Sequence, residues 1–214
     1  MVSPLRSPRL ILLMTLAMVG MQTDASAQIN PEGVDVDFDM EYYDVSGATW
    51  SEVWRSIVVN RRTMSTGERF EGVTRYEVGL MPAGDGCTPS NARIAVKLRV
   101  AVPHLVRASA LPIRDRECWA AYERSLDDHE ELHMTIAIQD ARELLTTVRA
   151  SSGASCRSLR NLVQRRSQDM RSDQADYDRV SSHGLEQWRA WGLSRPADPE
   201  VQALTRRCAE RALG

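Results

Sequence analysis

The residues with the clearest chemical potential form the run His129-Glu130-Glu131-Leu132-His133. On a helix, positions four apart lie on one face, so both imidazoles can reach a single metal ion. Neutral imidazoles suit zinc, and a catalytic zinc site takes about three protein ligands with one position left open. Glu130 is rotated about 100° around the helix from His129, beside such an ion rather than at it. A carboxylate there can take a proton from a water that the metal activates and pass it to a leaving amine. The run has the His-Glu-x-x-His form of a helical zinc-peptidase site, with Zn2+ as cofactor, Glu130 as general base, and a protein or peptide as substrate. A motif this short also arises by accident, its histidines then being ordinary core or surface residues. A helical setting, placement on the buried stripe and an exported chain all weigh against accident.

The element that must carry the run extends from about Asp115 to Val148, a stretch without Pro or Gly. Tyr122, Leu126, His129, His133, Ile136, Asp140, Leu144 and Val148 recur at steps of three or four, which predicts one long helix with both histidines facing inward. Gly153 breaks that helix and Ser155 can cap the next. There Cys156, Leu159, Val163, Met170, Tyr177 and Val180 make the stripe of a second helix that ends near Gly184. Its outer face carries Arg157, Arg160, Arg165, Arg166 and Arg171, read as a solvated face.

Ahead of the helices the pattern is strand-like. Apolar and acidic residues alternate from Val34 to Val45, and further strands are predicted at Val73 to Leu80 and Ile94 to Val102, around a turn-rich segment from Pro82 to Asn91. Thr49 can cap a helix from Trp50 to Arg61 that packs on the sheet. A short helix near Cys208 closes the chain. The sum is an α+β domain: a small antiparallel sheet with an N-terminal helix, then long helices carrying the site, a zincin-like arrangement.

The first residues comprise a basic stretch with Arg6 and Arg9, an apolar run from Leu10 to about Met21, and Ala25-Ser26-Ala27. This is the pattern of a secretory signal peptide (1–27) cleaved after Ala27, leaving a single domain over 28–214 in the periplasm or outside the cell. The apolar run is shorter than the roughly 20 residues of a membrane span, and no stable membrane insertion is expected after cleavage. In an oxidising compartment Cys87, Cys118, Cys156 and Cys208 read as two disulfides; three pairings are possible. The formal charge of −2 becomes −3 once Arg6, Arg9 and Asp24 leave with the signal, which offers nothing to nucleic acid.

A third metal ligand remains to be found. Of the other histidines, His104 follows a strand and reads as a surface loop residue. His183 lies on the second helix, which can fold back on the first. Straight helices would not bring it level with the motif, however, so a bend or an early helix end is required. Asp140 and Glu143 are too far along the first helix to share an ion with the histidines, and Asp140 suits an outer, ligand-orienting or ion-pairing role better.

The chain from about Tyr42 to Trp188 resembles a bacterial family of uncharacterised proteins predicted to be secreted zinc-dependent proteases, an HExxH-containing domain of unknown function. The marks are Tyr43-Asp44-Val45-Ser46-Gly47 followed by Thr49, Gly86-Cys87, Trp119 ahead of the histidine run, Cys156, Tyr177-Asp178 and His183-Gly184, with Ser181 where the family has Thr. The resemblance implies that His183 is the third ligand and that Tyr177 or Asp178 supports the transition state or the ligands; Tyr177 reads equally well as a core residue of the helix stripe. Two rival readings of the whole chain lack turnover: a zinc-bearing domain with a closed site, and a disulfide-stabilised binding domain of the cell envelope.

Overall fold

The computed structural model describes residues 33–63, 67, 69–81, 87–181 and 199–213. Residues 1–27, expected to be a signal peptide, and His183 lie outside them. Strand β1 (Val34–Val45) is followed by helix α1 (Trp50–Asn60), a short hairpin of β2 (Arg62–Thr63) and β3 (Arg69–Phe70), and strands β4 (Val73–Met81) and β5 (Arg93–Leu105). Three helices follow: α2 (Ile113–Ala150), α3 (Cys156–Ser181) and α4 (Pro199–Leu213). The α+β class expected from the sequence is the one found.

The sheet itself differs from expectation. Its order is β1-β5-β4, with β5 antiparallel to β4 but parallel to β1, so the sheet is mixed rather than antiparallel. The connection from β4 to β5 is too short for the crossover that a parallel pair needs, so the two run antiparallel, whereas α1 lies between β1 and the rest, and a helical crossover permits a parallel neighbour. Strand β5 takes the centre because it is apolar almost throughout: Ile94, Val96, Leu98, Val100, Ala101 and Val102 are all buried. It also runs through Pro103, just past the expected end of that strand; β4 pairing stops at Ala101, and beyond it no described strand pairs on that side of β5, so a missing N–H is tolerated. The acids of β1 face the arginines of β5: Asp35 pairs with Arg93, and Asp37 stands 3.0 Å from Arg99.

Two cores flank this sheet. In the first, Val34, Val36, Ile94, Val96 and Leu98 pack under Ala137, Ala141, Leu144 and Val148 of α2 and Leu159 and Val163 of α3. In the second, Tyr43, Val45 and Leu105 meet Trp50, Val53 and Ile57 of α1 and Cys118, Trp119 and Tyr122 of α2. The inward residues of β1 are even-numbered at its start and odd-numbered at Tyr43 and Val45, so α1 covers this end from the opposite side. Gly47 permits the tight entry to α1, since a Cβ there would lie 2.5 Å from the Val53 nitrogen. Thr49 caps that helix as anticipated, its hydroxyl accepting from the Glu52 N–H at 3.3 Å.

The disulfides are Cys87–Cys156 and Cys118–Cys208. The first ties the segment before β5 to the start of α3; the second fastens α4 to α2. Around the second, the Trp50 indole donates to the Cys208 carbonyl at 2.6 Å, and Asp115 takes hydrogen bonds from the Trp50 N–H at 2.9 Å and Arg211 at 2.6 Å. Among the described residues no helix is long and apolar enough to cross a membrane.

Candidate functional site

Helices α2 and α3 form an antiparallel hairpin that turns at Gly153, whose φ of +73° a residue with a side chain rarely adopts. Ser155 caps α3, accepting from the Ser158 N–H at 3.2 Å. Gly153 stands midway in sequence between His133 and Gln174, and between His129 and Tyr177, and these are the residues that meet across the hairpin. The hairpin therefore brings Gln174, Tyr177 and Asp178 level with the histidines, and α3 is described as far as Ser181.

His129 and His133 are buried, 4% and 7% exposed, on the inward stripe of α2. Their Nε2 atoms lie 3.1 Å apart. Asp178 Oδ1 completes a triangle, 3.2 Å from His129 Nε2 and 2.9 Å from His133 Nε2. Zn–N bonds of about 2.0–2.1 Å imply tetrahedral edges of roughly 3.3 Å, so these three atoms would need to spread by only a few tenths of an ångström to share one zinc ion. Among the described residues, His129, His133 and Asp178 are the group able to hold a metal ion.

Each imidazole is held from behind. The His129 ring stacks on Tyr177, centroids 4.9 Å apart, with its Nδ1 3.1 Å from the Tyr177 hydroxyl. His133 Nδ1 contacts Gln174 Oε1, and Gln174 Nε2 donates to the His133 carbonyl at 3.1 Å. Tyr177 is fully buried, and burial raises its hydroxyl pKa far above the ordinary range. Burial pulls the His133 imidazole down, but the hydrogen bond and charge of Asp178 and the charge of Glu130 outweigh it and leave the ring above its usual pKa.

Glu130 faces the start of β4. Its Oε2 accepts from the Thr74 hydroxyl at 2.6 Å, and its Oε1 lies against Gly72, where a Cβ would also come within 2.6 Å of Leu126 Cδ1. Only glycine lets the chain pass so close. Burial raises the Glu130 pKa to about 7, against the lowering effects of His133 and the Thr74 hydrogen bond. A carboxyl poised there is matched to proton transfer at neutral pH.

Not every anticipated residue is in this cluster. Asp140 lies further along α2 beside Tyr76 and Asp173, and no described hydrogen bond links it to either histidine. Burial, then Asp173 and Glu143, raise its pKa to about 6. His104 is on β5, not in a loop, with an exposed ring 3.2 Å from Asp44. Gln174, Thr74 and Gly72 escape the sequence reading. For Gln174 a signal existed: it stands on the α3 stripe between Met170 and Tyr177, a polar residue where an apolar one is due. Thr74 and Gly72 carry no such signal, because their meeting with Glu130 depends on tertiary packing.

The fold and site define a disulfide-bonded α+β domain with two buried histidines, a buried glutamate and a half-buried aspartate clustered between two helices and a sheet edge. A family model described as "Bacterial protein of unknown function (DUF922)" matches residues 40–184, and the chain belongs to that family. Neither the curated proteins nor the solved structures compared with the chain give a match.

Proposed function

We propose that this protein is an exported zinc-dependent peptidase of the periplasm or extracellular space, cleaving peptide bonds with Glu130 as general base and acid. The observation that carries this reading is the convergence of His129 Nε2, His133 Nε2 and Asp178 Oδ1 within 3.2 Å of one another, on the same helix turn as a buried Glu130. Two imidazoles and a carboxylate are a donor set that suits zinc. Zinc, when bound, would supply a Lewis acid able to polarise a peptide carbonyl and acidify water.

The protein's own groups divide the remaining work. His129 and His133 bind, held by Tyr177 and Gln174. A single further donor completes the catalytic set, Asp178, which stands at the site, or His183, which the resemblance implies, and either way one position stays open. Glu130 accepts a proton from the attacking water and returns it to the leaving nitrogen, with Thr74 keeping its carboxylate in one orientation. Export is supported by the apolar leader and by the pairing of all four cysteines. The zincin-like label rests on the helix-borne histidine pair beside a sheet.

A second reading is favoured by the position of Asp178. If it and His183 both ligate with the two histidines, four donors close the site and the domain binds zinc without turnover. Elemental analysis of the chain from Gln28 onward decides between the readings when combined with H133A, H183A and D178A variants and a peptide-cleavage screen. One zinc per molecule, lost in H133A, together with cleavage abolished in E130Q, supports the peptidase. Zinc that needs all four donors, with no cleavage, supports the closed site. A folded wild type that takes up no zinc sinks both.

A further inference from the structure

Gly72 lies one residue ahead of β4, and its backbone is not left-handed, so its main-chain angles do not exclude alanine. What glycine provides here is room. A Cβ would meet Glu130 Oε1 first, then Leu126 Cδ1 at 2.6 Å and Glu130 Cδ at 3.1 Å. Contacts that short are untenable, so one side has to give. The main chain is pinned on both sides of Gly72. The Glu71 carbonyl accepts from the Tyr43 hydroxyl at 2.5 Å, the Glu71 carboxylate pairs with Arg61, and Val73 is buried opposite Ala101 in the sheet. The ends of Leu126 and Glu130 are left to move, and any such movement of Glu130 carries its Oε2 away from the Thr74 hydroxyl, 2.6 Å distant.

We propose that Gly72 is a positioning residue for Glu130: its bare Cα makes the room in which the carboxylate lies, and the pinned chain around it fixes where that room ends. Thr74 holds one carboxylate oxygen from the same stretch, so residues 72 and 74 act together on one side chain. The purpose of this placement rests on the peptidase reading, in which Glu130 handles the proton. The placement itself belongs to the metal-free protein. An added methyl at 72 therefore displaces the carboxylate at little cost to folding, because the atoms that yield are the ends of flexible side chains.

The test uses the chain from Gln28 onward as wild type, G72A, E130D and G72A/E130D. Aspartate is one methylene shorter and withdraws its carboxylate from the space that a Cβ at 72 would fill. Crystal structures of the metal-free proteins read the distance from Glu130 Oε2 to Thr74 Oγ1, chelator competition reads zinc affinity, and steady-state cleavage separates kcat from KM. Expected in G72A are loss of the Thr74 hydrogen bond, wild-type zinc affinity, and a kcat about 100-fold lower with KM little changed. In the E130D background the same methyl is expected to cost almost nothing further. An unmoved carboxylate in G72A overturns the proposal, as does a displaced carboxylate with kcat unchanged, or a loss of equal size in both backgrounds. If G72A fails to fold while G72A/E130D folds, the obstruction is Glu130 and the proposal holds; if neither folds, the bare position serves Leu126 and the proposal falls. If the wild type cleaves nothing, the peptidase reading fails, and the Thr74 distance in G72A still decides whether Gly72 places Glu130.

Discussion

The α2–α3 hairpin has two halves built from the same pair of helices to different ends. Near the turn, Ala137, Ala141 and Leu144 meet Leu159 and Val163 under the sheet, an apolar contact that needs no directional partners. Toward the open end, His129, Glu130 and His133 meet Gln174, Tyr177 and Asp178, and burial is tolerable only because each polar atom finds a matched group. Within the apolar half Asp140 is an exception: its buried Oδ2 has no hydrogen-bond partner among the described residues. The first half supplies rigidity, and the second uses that rigidity to hold polar groups at fixed separations.

Substitutions can break this comparison, and the largest effect belongs to the open end. E130Q is expected to lower peptide cleavage by about 10²–10⁴-fold while zinc content stays at the wild-type level, checked by rate assay beside elemental analysis. Near the turn, L144A is expected to cost roughly 2–5 kcal/mol in urea unfolding without altering the zinc affinity per folded molecule. If L144A changed affinity as much as stability, the halves would not be separable.

Opening the Cys118–Cys208 bridge with the double variant C118S/C208S should cost about 2–4 kcal/mol, since it frees α4 from α2 at a point remote from the hairpin turn. Thermal unfolding of the variant beside the wild type reads it. Zinc affinity per folded molecule should not respond.

The smallest effect has a sign worth working out. Asp140 titrates near pH 6 in the folded protein, above its ordinary 3.8, so the folded state favours its protonated form. The stability contributed is complete below about pH 4 and is lost as pH rises through 6. D140N should flatten this slope and stabilise the protein at pH 7.5 by about 1–2 kcal/mol, a figure reduced for the partial exposure of the group. Urea midpoints at pH 4 and pH 7.5 for both proteins measure it. A wild-type slope shared by D140N would place the burden on another carboxyl.

Much of this molecule is written in local periodicity. The stripe that carries His129 and His133, the caps at Thr49 and Ser155 and the break at Gly153 were all legible, because a helix face depends only on residues a few positions apart. The mixed sheet was not, since alternation identifies β1 and β5 as strands without saying whether they run parallel. Nor was the ligand-side company of the histidines: straight-helix pairing about Gly153 points to Gln174, Tyr177 and Asp178, but only once the helices are known to stay straight and to face each other.

By itself, then, the sequence determined the class of fold, the helix-borne histidine pair and an even set of cysteines, all of them consequences of residue type and short-range spacing. The tertiary structure decided which cysteines join, which strand lies in the middle, and that Asp178, Gln174 and Thr74 surround the histidines and Glu130. Those contacts join residues between 41 and 56 positions apart. They are set by how elements stack, and stacking follows from the burial of whole faces rather than from any short stretch of chain.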